Sequence, residues 1–118
     1  MTKTKPSICF SYKYNKLLEN EFDTVRWLDS IYVLGKVYPC YLVAQNAWHG
    51  HYPIGNFRIT RLDICKLWSL LHDGFTERDA DCGKDAYLKM MEGWYSKKPD
   101  WKGVDSEVQL IHLVKVND

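Results

Sequence analysis

Between residues 56 and 65 a single extended run changes phase halfway along. Phe57 and Ile59 take alternate positions, and so do Leu62 and Ile64, but the two pairs are offset by an odd number of residues. Side chains of a strand alternate between two faces. Both pairs therefore reach one core only if an extra residue bends the strand between them. The run predicts a bulge or a barrel corner, and it excludes a flat, regular sheet.

The rest of the chain supplies neighbours for such a strand. Residues 7–12 read as a short strand and 14–20 as a short helix. Residues 24–28 and 31–34 read as extended segments before a turn at Gly35, and Pro39 marks the β-rich run 36–44 as an edge strand or a bulge. Residues 45–55 are punctuated by Gly and Pro and read as a loop, with Trp48, His49 and Tyr52 as an aromatic lip. Residues 67–72 suggest a short helix ending at Asp73-Gly74, followed by a capping-box-like start at Thr76 to Asp79. Ala86, Tyr87, Met90, Met91, Trp94 and Tyr95 mark one face of a helix over 85–95. Residues 107–116 are apolar on both faces, as a central strand requires. The order predicts one α+β domain over residues 1–118, with a curved or closed sheet.

Length and charge narrow the function classes. A chain of 118 residues, 46% hydrophobic and 26% charged, holds one globular core, which excludes disordered and low-complexity classes. The longest apolar runs span only a few residues and Met1 to Lys5 lead into no apolar segment, so the expectation is a cytoplasmic chain with no membrane partner. The net charge of +1 argues against a general polyanion binder. Its distribution is uneven. Lys3, Lys5, Lys13 and Lys16 give residues 1–18 a charge of +4, and Glu19, Glu21, Asp23 and Asp29 against Arg26 give residues 19–30 a charge of −3. Residues 31–72 carry Lys36, Arg58, Arg61 and Lys66 against Asp63, or +3, and the remainder carries −3. A fold can gather the basic blocks onto one face.

Cys9, Cys40, Cys65 and Cys82 are spaced by 31, 25 and 17 residues, which fits neither a zinc knuckle nor a redox dithiol. They read as reduced, structural thiols. His49 and His51 lack further ligands nearby, so no metal and no cofactor are expected. His112, flanked on its strand face by Val108, Leu110 and Val114, reads as a hydrogen-bonded core histidine.

Several segments, taken in order, resemble the ASCH domain, a family of the PUA-like superfamily of small RNA-associated β-barrels. Residues 19–26 (Glu-Asn-Glu-Phe-Asp-Thr-Val-Arg) align with the family's G-x-K-T-x-(E/T)-x-R segment. Residues 35–39 (Gly-Lys-Val-Tyr-Pro) and 55–60 (Gly-Asn-Phe-Arg-Ile-Thr) match its next two elements. Residues 79–83 match its helix start loosely, and Trp101 with residues 108–116 match its closing strand. The resemblance implies a small PUA-like β-barrel with short flanking helices. It also implies a cleft for RNA or a modified nucleotide.

Family members that hydrolyse acetylated cytidine use the motif Lys, a Thr and an acidic residue near the helix start. Those positions correspond here to Glu21, Thr24 and Asp81, with Asp79 as the other candidate acid. Glu21 replaces the Lys, so it can act as a base but cannot stabilise an oxyanion. On the strand, Thr24 and Arg26 share a face. Arg26 either grips a phosphate or base edge, or pairs with Asp23 or Glu21. Lys36 and Tyr38 either bind and stack a nucleotide or pack as a hairpin. Arg58 and Arg61, with Lys66, form either a phosphate track or a solvated face. The leading expectation is a nucleic-acid- or nucleotide-binding domain. A nucleoside amidohydrolase or ribonuclease on the same cleft and a non-catalytic protein-interaction module are the alternatives.

Overall fold

Five strands hydrogen-bond into one mixed sheet in the order β1-β3-β4-β5-β2. They are β1 (Ile8–Phe10), β2 (Glu21–Arg26), β3 (Val37–Val43), β4 (His51–Lys66) and β5 (Glu107–Val116). Only β1 and β3 run parallel; the other neighbours are antiparallel. Two helices, α1 (Asp73–Ala80) and α2 (Lys84–Tyr95), and two 3-10 turns, Asn15–Leu18 and Leu67–Leu70, complete the α+β fold. The structure, a computed structural model, describes residues 7–10, 14–43 and 51–116, with the side chain of His51 excepted. Among these residues no helix is long and apolar enough to cross a membrane.

The phase change in β4 is a bulge. Ile59 pairs with Leu113 but Arg61 pairs with His112, so Thr60 is the extra residue. The shift returns Leu62 to the inner face, opposite Ile111, while Ile64 remains 61% exposed. A second register shift falls between Cys40 and Tyr41, opposite Gly55 and Pro53. The two irregularities curl the sheet into a half-barrel, since bulges sharpen local bend and twist. Gly55 is required at its corner. Its φ is +148°, and a Cβ there would lie 2.9 Å from the Lys115 side chain.

The curl brings the two edge strands toward each other. Arg26 on β2 donates through Nη2 to the Cys9 carbonyl of β1 at 2.9 Å, and the rings of Phe10 and Phe22 meet edge-on at 5.7 Å. Inside the curl lies an apolar cluster built on Ile8, Phe22, Cys40, Phe57, Ile59 and Leu113. A second cluster on the outer face joins Val25, Trp27 and Val108 to Phe75, Tyr87 and Met91 of the helices. Because β5 serves both clusters, it is apolar on both faces, as its sequence requires.

Several boundaries differ from the sequence expectation, each for a local reason. The helix over 14–20 shortens to a 3-10 turn, and the strand placed at 24–28 begins at Glu21 and ends at Arg26. Residues 31–34 form no strand. Residues 51–55 belong to β4 rather than to a loop, because β3 pairs with them; Trp48 and His49 lie outside the described residues. Pro39 lies in an interior strand, one residue before β1 begins to pair. Asp73-Gly74 opens α1 instead of ending a helix. His72 caps it, its Nδ1 accepting from the Phe75 N–H at 3.2 Å. Thr76 and Asp79 therefore lie inside the helix, buried against the core.

The bulge makes a direct prediction. Phe57→Ala removes a fully buried ring 5.0 Å from Phe22 and should destabilise the fold by about 3–5 kcal/mol in urea titration. Ile64→Ala on the same strand should change it by about 0.5 kcal/mol or less.

Candidate functional site

The gap between the edges of β1 and β2 is a cavity of about 140 Å³. Cys9, Phe10, Thr24, Val25 and Arg26 line it from the strands, Tyr14 and Lys16 from the first turn, and Trp94 and Tyr95 from the end of α2. Tyr95 is held there by Trp27, whose ring stacks on it at 5.1 Å. The walls are thus aromatic, with three polar side chains among them.

Lys16 is the most constrained of these. It is 6% exposed, yet its Nζ donates to Asp79 Oδ1 at 2.5 Å and to the Asp23 carbonyl at 2.8 Å. Tyr87, itself fully buried, donates to the other Asp79 oxygen at 2.6 Å. The ammonium also lies over the rings of Phe10, Tyr14 and Phe22, at 5.4, 5.5 and 5.6 Å. Burial pushes the Lys16 ammonium below the ordinary lysine value, and Asp79 offsets part of that shift. Burial and the neighbouring carboxylate hold the Tyr87 hydroxyl far above the usual tyrosine range, so it remains a donor.

Thr24 is 4% exposed, lines the cavity, and its hydroxyl makes no hydrogen bond among the described residues. Arg26 is half-buried, with its guanidinium 5.0 Å from the Phe10 ring. It pairs with neither Asp23 nor Glu21, and its Nε is buried without a partner among the described residues.

The other expected site residues go elsewhere. Glu21 and Asp81 line a second hollow of about 580 Å³, with Asp23, Arg78 and His112, which shares only Lys16 with the cavity among the described residues. The reason is strand alternation: Glu21 and Thr24 are three residues apart and lie on opposite faces of β2. The expected trio of Glu21, Thr24 and Asp81 is therefore split between two hollows, and Asp79, not Asp81, stands with Lys16. Asp81 instead accepts from the Asn15 N–H at 2.8 Å. Tyr38 is buried against Tyr32, and its hydroxyl accepts from the Val33 N–H, which leaves no ring face for a base. Lys36 is exposed, Arg58 donates to the Gly35 carbonyl, and Arg61 pairs with Asp63 on the surface. None of these four lines the cavity.

His112 is hydrogen-bonded but half-buried beside the second hollow rather than enclosed in the core. Its Nδ1 and Nε2 approach Asp23 at 2.6 Å and Glu21 at 3.2 Å. All four cysteines are free thiols, and burial pushes that of Cys40 up to about 12. Among the described residues no three His, Cys, Asp or Glu side chains are placed to hold a metal ion.

Lys16 is the site residue that sequence reasoning missed. Its one signal is a lone cation between Tyr14 and the Leu17-Leu18 pair; nothing in the sequence marks Asp79 as its partner. Comparison of the chain with models of known families, with characterised proteins and with solved structures returns no match.

Two outcomes follow from this geometry. Asp79→Ala leaves the Lys16 charge buried and unpaired and should cost about 3–5 kcal/mol in denaturant titration, whereas Lys16→Met with Asp79→Leu should recover most of that loss. Around His112, burial disfavours the charged ring, but hydrogen bonds to Asp23 and Glu21 outweigh it and raise the pKa above 6.5. A folded-state pKa above the unfolded one stabilises at low pH. This contribution is complete below the unfolded value and fades as pH rises through the folded one. His112→Gln should therefore flatten the fall in urea midpoint from about pH 6 upward.

Proposed function

We propose that the cavity between β1 and β2 binds a pyrimidine nucleoside, free or within RNA, and that the chain is an ASCH-like domain of the PUA-like β-barrel kind. The observation that carries this reading is the Thr24 side chain, 4% exposed and with no hydroxyl hydrogen bond among the described residues, inside an aromatic cavity that also holds Lys16 and Arg26. Aromatic walls offer stacking to a base, and buried polar groups select its hydrogen-bonding edge. The half-barrel with facing edge strands supports the architecture.

Trp94, 44% exposed at the cavity wall, can be removed without opening the core. Calorimetric titration with cytidine, acetylated cytidine and short single-stranded RNA should detect binding. Trp94→Ala should weaken it by about 1–3 kcal/mol, the worth of one stacked base. Unchanged affinity in that variant, or no binding of any of the three, overturns the reading.

A second reading, hydrolysis of acetylated cytidine to cytidine and acetate, is favoured by one observation. Lys16 brings an ammonium to the cavity of Thr24, although Glu21 occupies the family's lysine position. An ammonium held at the cavity can stabilise an oxyanion or donate a proton to a leaving group, and Thr24 supplies a hydroxyl. Acetate release that Thr24→Val abolishes supports this reading; no release from the unmodified protein removes it and leaves binding alone.

A further inference from the structure

We propose that the ligand of the cavity is a nucleoside phosphate, with its base beside Thr24 and Trp94 and its phosphate in the adjoining hollow between Arg26 and Lys98. The inference rests on the nucleoside reading above and adds the charged group that the ligand must carry. Arg26 and Tyr95 line both the cavity and a neighbouring hollow of about 270 Å³, so the two spaces meet at these side chains. Beyond them the hollow is walled by Trp27, Ser30 and Tyr32, with Asp29 and Lys98 on its rim.

Charge decides what this second space accepts. In the cavity Lys16 is neutralised by Asp79. Arg26 is half-buried and has no carboxylate partner among the described residues; one of its nitrogens bonds the Cys9 carbonyl, and Nε is buried and unsatisfied. A neutral nucleoside leaves that charge uncompensated. In the outer hollow Lys98 binds Asp29 at 2.7 Å, on the surface, where an ion pair is weak and exchanges readily. A phosphate placed there meets two cations and one carboxylate. It takes a charge-assisted hydrogen bond from Arg26 Nη1, since Nη2 is held by the Cys9 carbonyl and Nε is buried.

The phosphate can be terminal, as in a mononucleotide, or the internal link of an oligonucleotide. Both present the same chemistry at Arg26. The test is calorimetric titration of the full chain with cytidine, cytidine 5′-monophosphate, a cytidine-containing dinucleotide and inorganic phosphate. The monophosphate or the dinucleotide should bind at least about tenfold tighter than cytidine, as a charge-assisted pair predicts. Whichever binds tighter identifies the terminal or the internal source. Added salt should weaken the phosphate esters and leave cytidine unchanged. Arg26→Gln should erase the preference. Lys98→Ala, at a half-exposed position outside both apolar clusters, should narrow it severalfold. Equal binding of cytidine and both phosphate esters, or a preference that survives both substitutions, overturns the inference while the nucleoside reading stands. No binding of any cytidine compound overturns both.

Discussion

The buried contact of Lys16 with Asp79 holds four elements in one arrangement. The ammonium on the first turn reaches Asp79 of α1 and the backbone of β2, and Tyr87 of α2 completes the carboxylate's hydrogen bonds. It stands at the seam of the two apolar clusters, over Phe10 and Phe22 on one side and beside Tyr87 on the other. A charge this deep is tolerable only because every strong interaction it needs is present. Such a pair contributes little net stability over an apolar replacement, but it permits few alternative packings of the helices against the sheet.

The cavity follows from the curl of the sheet together with this pair. Bulges at Thr60 and near Cys40 bend β3 and β4, so the short edge strand β1 faces the opposite edge β2. The gap is spanned by side chains, with Arg26 on the Cys9 carbonyl and Phe10 against Phe22. Tyr95 closes one wall because Trp27, stacked on it, is itself fixed by a hydrogen bond to Asp100. A space bounded by two strand edges and aromatic rings is suited to a flat, polar-edged ligand.

Elements with long or unbroken patterns were legible in the sequence. The strand over 107–116 and the helix ending at Tyr95 fall where their apolar spacing puts them, and the phase change in β4 is resolved by the bulge it demanded. Short elements were legible only in part: a strand within 7–12 and a helical turn at Leu67–Leu70 are present, but the start of α1 was not foreseen. The start of α1 depends on a His72 cap, which looks like an ordinary polar residue before a glycine. Within the site, Thr24 and Arg26 were legible because alternation alone places them on one face. Glu21 and Asp81 fall in the other hollow from Thr24 because motif alignment ignores which face a residue occupies.

By itself, the sequence determined an α+β chain with one bent strand, a doubly apolar central strand and the shared face of Thr24 and Arg26. These follow from local periodicity, which any fold of the chain must satisfy. Tertiary structure decided which charges are buried and which polar groups converge. Lys16 and Asp79 are 63 residues apart, and only the packing of α1 across the first turn joins them. Among the described residues, Lys16 is neutralised inside, Arg61 pairs on the surface, and Arg26, from an acidic block, stands at the cavity without a carboxylate partner. Pairing at a distance depends on where the chain folds back, and local spacing carries no record of it.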